Sequence, residues 1–502
     1  MIAKVESAIP FGYEGRLVQV EGDANRGLPG FFIVGMANKT INEAKERVRS
    51  ALTNSKFRFP DQKVTINLAP AELVKDGSHL DLPIALAVMV LSKQLLQTNL
   101  DDSLFVGELS LDGQIRPVRG IINIIEAAKA NNIKTVYVPF KNLPQATLID
   151  GIKILGVKNL TELFLHLKNQ KKIRPTPINV VRNTKTDNIS AIIDNVKGQT
   201  LAKRALTIAI AGHHNILLSG PPGAGKTMLA KVAANLLPDP IPSEQIAITK
   251  IHSLAGLTDT IVTARPFRAP HHTASPVSII GGGVRATPGE ISLAHCGVLF
   301  LDELPEFPRN ILEALRQPLE DKQVTISRVN QHTTYPADFM LIATMNPCPC
   351  GYAGDSDHVC TCTTQQIENY QKKLSGPLFD RIDMFLEIKK VENQDLIKPT
   401  RKTNHEHNVV KNNIKEAVKT QYLRYHKPGL FNSSLSSFQV ATLLELDERA
   451  EQLLFLASSK LKLSARSYFK TIKVARTIAD LDHATIIKRE HIAEALTFRK
   501  RK

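Results

Sequence analysis

The run Gly220-Pro221-Pro222-Gly223-Ala224-Gly225-Lys226-Thr227 matches the spacing G-x-x-x-x-G-K-[ST]. Such a loop does one kind of chemistry well. Its glycines let the backbone curl until several N–H groups face a single anion. A helix opening at its end adds the positive end of its dipole. Lys226 supplies a point charge for outer phosphates, and the Thr227 hydroxyl is an oxygen ligand for Mg²⁺. The ligand this implies is ATP with Mg²⁺. The rival reading is a chance Gly-rich turn. Against it stands the context: the apolar run NILLS at 215–219 precedes the loop. A stretch with Leu229, Val232, Ala233 and Leu236 on one helical face follows it and stops before Pro238.

About 75 residues further on, the apolar run VLFL ends in Asp302 and Glu303. Asp302 is placed to hold Mg²⁺ and Glu303 to polarise an attacking water, which in phosphoryl transfer is mostly a positioning task. A third apolar run, FMLIAT, ends in Met345-Asn346-Pro347. A polar residue at the C-terminal edge of a central parallel strand faces the ligand crevice, so Asn346 is a candidate for the water or the γ-phosphate. Its other reading is an ordinary turn former.

Four of the five cysteines fall in C-x-C-x₉-C-x-C: Cys348, Cys350, Cys360 and Cys362. Two close thiolate pairs can complete a tetrahedral Zn²⁺ site, structural because no position stays open. Either they do so, with His358 as an alternate ligand, or they are four reduced, buried thiols. Cys296 reads as a small core residue.

These groups need a scaffold. Residues 1–168 alternate strand-like stretches (64–68, 135–138) with helix-like ones (82–91, 121–130). Residues 169–190 are polar, basic and carry two prolines, and read as a linker. From 191 to 390 the continuous apolar runs 215–219, 298–301 and 339–344 read as strands buried on both faces of a parallel sheet. From 391 to 502 the pattern turns helical, at 443–460, 465–481 and 488–498, and the polar, basic stretch 392–430 reads either as a long connector or as partly disordered. The fold class expected is α/β, multidomain, closing on helices.

Lys and Arg outnumber Asp and Glu by 64 to 48, a net charge of +16, which favours a polyanionic partner over a plain solvated basic surface only in company with other signals. There is no Trp and only 5% aromatic content, which argues against a base-stacking platform and for contact through phosphates. The sequence holds no apolar run long enough for a membrane helix, and its start lacks the apolar core of a signal peptide, so a cytoplasmic location is expected.

The motifs GPPGAGKT, GVLFLDELPEF, IATMNPCPCG, SGPLFDRID, RPFRAPHH, PGEISL and SARSYFKTIKVARTIADL together resemble the YifB/ComM family of magnesium-chelatase-like AAA+ proteins. The resemblance covers nearly the whole chain. It implies an N-terminal Lon-protease-like domain, an AAA+ core with a helix-2 insert, and a C-terminal helical lid. It implies a homo-hexameric DNA helicase that drives branch migration as incoming single-stranded DNA is integrated during natural transformation, with branched DNA as a substrate and recombination proteins as candidate partners. Position by position, it makes Arg381 an arginine finger acting on the neighbouring subunit and Arg466 a sensor arginine of the lid. The stretch 323–337 is similar to the clade's pore hairpin, with Arg328, and Lys322 at its base, as phosphate contacts. Its bland reading is a solvated edge hairpin. Arg285, after Gly281-Gly282-Gly283, is a second pore candidate.

Residues 66–92 and 106–120 are similar to the Lon-type protease fold, whose chemistry needs a Ser and a Lys. Ser78 lies in GSHLDLP, which departs from the protease pattern, and 119–123 carries no Lys. The domain is therefore expected to be non-proteolytic, with Lys75 as the one substitute base that would reverse this. Two other functions compete with the DNA motor: a protein-remodelling ATPase of the magnesium-chelatase-subunit kind, and an ATP-dependent protease.

Overall fold

A computed structural model describes residues 2–35, 39–75, 77–175, 192–283, 286–328, 331–355, 358–390 and 405–499. Most of the expected linker and Arg285 lie outside them. The chain divides into two units: Met1–Arg182 with Gln245–Val262, and Asn183–Glu244 with Thr263–Lys502.

The first unit is built on a seven-stranded mixed sheet. Its spine is an antiparallel hairpin, Ile2–Phe11 with Glu14–Asn25; burial alternates from Ile2 to Val5, while Ser7, Ala8 and Ile9 are buried in succession, with Ile9 and Ala8 in separate cores. Lys63–Ala69 extends it on one side, with Gly30–Val34 beyond. On the other side Ser103–Phe105, Thr135–Pro139 and Lys153–Val157 run parallel. The helix Asp81–Leu91 is buried along its whole length, so it is apolar all round and not striped. Its one carboxylate, Asp81, takes two hydrogen bonds from Arg47 (2.8 and 3.0 Å) and one from the Leu109 N–H (3.2 Å).

The expected segments 64–68, 82–91, 121–130 and 135–138 appear as Lys63–Ala69, Asp81–Leu91, Ile121–Ala130 and Thr135–Pro139. No local pattern in the sequence marks 245–262 as part of this unit, yet Gln245–Val262 completes it. There the Ser253 hydroxyl accepts from the Gly120 N–H and donates to Gln145, and Gln145 donates to the carbonyls of Thr258 and Thr260. The helix Pro242–Leu254 thus begins among residues of the second unit and belongs to the first from Gln245 on.

The second unit carries a five-stranded, all-parallel sheet in the order Phe267–Arg268, Val298–Leu301, Met340–Met345, Ile216–Ser219, Met384–Glu387. The first strand in the chain, Ile216–Ser219, sits between the fourth and the fifth. Three strands match the apolar runs read from the sequence, and each is continuous in burial because helices cover both faces. Ligands in such sheets bind beyond the C-terminal strand ends.

The C-terminal helices differ from expectation in two places. The polar stretch is no plain connector: 405–425 forms the helix His405–Tyr425, burying Ile414, Ala417, Val418 and Gln421 on one narrow face. That face is easily missed because lysines surround it. The expected helix 443–460 starts later, as Glu448–Leu461, and an unforeseen helix, Ser437–Leu443, precedes it. The later start falls at Asp447, whose carboxylate accepts from the Ala450 N–H (2.6 Å) and so caps the helix. Ala465–Leu481 and Arg489–Thr497 lie where the periodicity places them.

Candidate nucleotide-binding site

The strand Ile216–Ser219 runs into the glycine-rich loop, and the helix Lys226–Leu236 leaves it. Only glycine fits at 220, since a Cβ there would lie 2.3 Å from the Ile388 carbonyl oxygen. Gly223 and Gly225 turn the loop with φ of 77° and 80°. Gly225 caps the helix with no side-chain hydrogen bond, so the first amides of the helix are left for an anion. The Gln199 side-chain amide donates to the Ala224 carbonyl (2.7 Å) and steadies the loop from outside it.

Lys226 is buried, and its ammonium donates to the carbonyls of Gly220 and Pro221 and to Asn346 Oδ1 (2.8 Å). Burial pushes its pKa down, while Asp302 and Glu303 pull it up. Thr227 Oγ1 donates to Asp302 Oδ2 at 3.1 Å, a close pair of hard oxygens that suits Mg²⁺. The other Asp302 oxygen accepts from Thr344 Oγ1 at 2.5 Å, and the same hydroxyl accepts from the Glu303 N–H at 2.9 Å. Thr344 is fully buried, so one hydroxyl orients both acidic residues. Glu303 itself sits in a left-handed turn, φ 53°, with an exposed side chain. Lys226 is thus bonded to Asn346 and its chain neighbour Thr227 to Asp302, with Glu303 tied to Asp302 through Thr344. Such a set can bind a polyphosphate, hold a divalent cation and present a carboxylate to water.

Arg381 and Arg466 are elsewhere. Arg381 donates to the carbonyls of Arg316 (3.0 Å) and Pro377 (2.8 Å) and to Glu320; Arg466 donates to the other oxygen of Glu320. Both line a polar cavity of about 640 Å³ together with Glu320, Lys470 and Asp383, and no residue of 220–227 lines it. The two arginines therefore share one carboxylate, a pairing the sequence gives no way to see.

The hairpin Gln323–Arg328 with Gln331–Pro336 forms as expected and is half-buried: Val324, Ile326 and Tyr335 face inward, Thr325 and Ser327 outward. Arg328 ends its strand opposite Gln331, its side chain outside the described set. Lys322 donates to Asp338 (2.9 Å) and Ser434 (2.5 Å), so it is already engaged.

The four cysteines converge. Sγ atoms of Cys348 and Cys350 lie 3.3 Å apart, Cys350 and Cys360 3.5 Å, Cys348 and Cys360 3.7 Å, and all four lie within 4.8 Å of one another. These spacings exceed a disulfide bond of about 2 Å and approach the edge of a ZnS₄ tetrahedron, about 3.8 Å from Zn–S bonds of about 2.3 Å. His358 packs edge-on against Tyr352 instead (4.8 Å between rings). Cys296 is half-buried and contacts His295, and burial pushes its thiol pKa up.

In the first unit, Ser78 Oγ donates to Glu108 and Lys75 Nζ to the Pro70 carbonyl. Burial lowers the Lys75 pKa, yet no hydrogen bond joins it to Ser78.

Loop, acidic strand end and parallel sheet define a P-loop nucleotide-binding core. Three family descriptions match in succession: "Subunit ChlI of Mg-chelatase" at 20–142, "Magnesium chelatase, subunit ChlI" at 192–396, and "Magnesium chelatase, subunit ChlI C-terminal" at 404–499. The chain is 40% identical to Competence protein ComM of Haemophilus influenzae over 505 residues, 99% of this chain and 97% of that one. It is 40% identical to YifB of Escherichia coli over 500 residues, 99% and 96%. Residues of the chain are also 29% identical to Lon protease 2 of Bacillus subtilis over 140 residues, 26% of this chain and 24% of that one. The chain belongs to the YifB/ComM family of magnesium-chelatase-like proteins. Among the described residues no helix is long and apolar enough to cross a membrane.

Proposed function

We propose that the chain is an ATP-hydrolysing DNA translocase that works as a cytoplasmic homo-hexamer and promotes branch migration, integrating incoming single-stranded DNA during natural transformation. The observation that carries this is the linked set Lys226, Thr227, Asp302, Glu303 and Asn346 in a chain 40% identical to a competence protein over 99% of its length. Lys226 exchanges loop carbonyls for phosphate oxygens when nucleotide arrives. Thr227 and Asp302 hold Mg²⁺, Glu303 orients the water, and Asn346 holds the γ-phosphate end of the site. Arg381 serves the nucleotide of the neighbouring subunit, where it stabilises charge in the transition state, and Arg466, tied to it through Glu320, is the sensor arginine of the lid.

Arg328 and Arg285 are the DNA contacts of this reading. Lys322, held by Asp338, anchors the hairpin base instead. The net charge of +16 supports a polyanionic track. The layout proposed is a Lon-protease-like domain at 1–168, a linker at 169–190, an AAA+ core at 191–390 and a helical lid at 391–502. The first of these is non-proteolytic, because Ser78 and Lys75 spend their hydrogen bonds on Glu108 and Pro70. The four thiolates hold a structural Zn²⁺.

The test is ATP hydrolysis with and without single-stranded and branched DNA, beside Lys226→Ala. DNA should stimulate the wild-type chain, and the variant should be inert. Hydrolysis indifferent to DNA would give first place to protein remodelling of the magnesium-chelatase-subunit kind.

A further inference from the structure

The cysteine cluster is wired into the phosphate loop at three points. Cys348 follows Asn346 by two residues, and Asn346 Oδ1 accepts from Lys226. The turn after Cys350 presses on the loop: a Cβ at Gly351, φ 88°, would lie 2.7 Å from Pro222 Cγ and Cδ. The distal pair leads directly into the helix Thr364–Lys372, which opens with a capping box one residue after Cys362. That helix carries Gln371, which donates to the Pro347 carbonyl (3.4 Å), and the buried Tyr370, whose phenol is under the electrostatic influence of the Asn346 backbone. Both arms of the cysteine loop therefore return to the same dipeptide, Asn346-Pro347. Between the pairs, Asp355 forms an ion pair with Lys390 (2.9 Å), two residues beyond the Ile388 carbonyl that backs Gly220.

We propose that Zn²⁺ held by Cys348, Cys350, Cys360 and Cys362 is coupled to nucleotide binding, because it closes the ring that fixes Asn346 against Lys226 and Gly351 against Pro222. The proposal rests on the reading of 220–227 as a nucleotide site. Without the metal, the cysteine loop regains its freedom and the two arms no longer constrain Asn346 together. The loop then closes on ATP only after an ordering cost that the metal otherwise removes. Coupling of this kind is reciprocal: metal tightens nucleotide and nucleotide tightens metal by one factor, of about 5- to 150-fold.

The experiment uses the full chain. Bound zinc is counted by elemental analysis, and a fluorescent ATP analogue is titrated in Mg²⁺ before and after stripping with a chelator that spares Mg²⁺. Stripping should weaken the analogue by about 5- to 150-fold, and returned Zn²⁺ should restore it. Separately, the analogue should slow zinc transfer to a chromophoric chelator. Gly351→Ala is the second variant: it keeps four thiolates but drives a methyl into Pro222, so it should retain zinc and still lose nucleotide affinity. If stripping unfolds the chain by circular dichroism, this variant decides. Stoichiometric zinc with unchanged analogue affinity on stripping and in Gly351→Ala overturns the coupling. A chain that binds the analogue normally with no zinc overturns the metal site. A zinc-loaded chain that never binds the analogue overturns the nucleotide reading itself.

Discussion

Thr344→Val is the sharpest test of how the acidic pair is held. Valine keeps the shape of threonine but removes the hydroxyl, in a site with no exposed surface. Two hydrogen bonds go. The one to the Asp302 carboxylate (2.5 Å) is charge-assisted, worth about 1.5–3 kcal/mol. The other leaves the Glu303 N–H without its acceptor, which costs about 1–3 kcal/mol where water cannot replace it. Some of each loss falls on stability. If about 2–4 kcal/mol falls on the transition state for hydrolysis, the rate drops by roughly 30- to 1,000-fold. The assay is steady-state ATP hydrolysis over a range of Mg²⁺, beside a thermal melt and the control Thr344→Ser, which keeps the hydroxyl. The serine variant should stay within a few-fold of wild type, and the valine variant should fall with little change in analogue binding. A valine variant that hydrolyses ATP at the wild-type rate, with its Mg²⁺ dependence unmoved, would refute the claim that one hydroxyl positions both acids.

Arg381 should act on a neighbour's nucleotide, so Arg381→Ala and Lys226→Ala, each inactive alone, should regain part of the hydrolysis when mixed; no gain in mixed rings would place the arginine in its own subunit's reaction. Acid should loosen the second unit in a defined window. Burial holds His213 at about 3 and His214 and His295 at about 4, against about 6.5 when unfolded. Their folded pKa values are depressed, so the unfolded chain takes up protons first. Stability is full above about pH 7 and falls as pH drops from about 6.5 towards 4, with a slope approaching about 4 kcal/mol per pH unit for three protons. Urea melts at about pH 7 and about pH 5 read this directly, and coincident midpoints would contradict the buried, neutral state.

What the sequence reveals is what short-range rules determine. The phosphate loop has a fixed spacing, and the parallel strands are continuous apolar runs, so Lys226, Asp302 and Asn346 could be placed before any fold was known. Four cysteines within fifteen residues needed only proximity along the chain. What stayed hidden depends on long-range meetings. Thr344 looks like one more strand residue until the neighbouring strand brings Asp302 to it. Glu320 looks like a surface acid until it receives two arginines, one 61 and one 146 positions away. Gly351 is one glycine among 27, and its role comes from where Pro222 lies. The helix His405–Tyr425 hid for another reason: its buried face is narrow and partly polar, with Gln421 donating to the Ala211 carbonyl.

The helix Pro242–Leu254 has a consequence for the order in which the chain can fold as it is made. Ile248 and Ile251 are fully buried, and Ile246 packs against the core that Ile121 and Ile125 line. Everything else in the first unit leaves the ribosome by residue 182, yet this surface stays uncovered until Val262 follows. At roughly 5–20 residues per second that is a wait of roughly 4–16 seconds, during which the phosphate loop also emerges. The nascent first unit is thus exposed longest on the face that 245–262 will cover. A gene cut in the segment before residue 191 would make that exposure permanent.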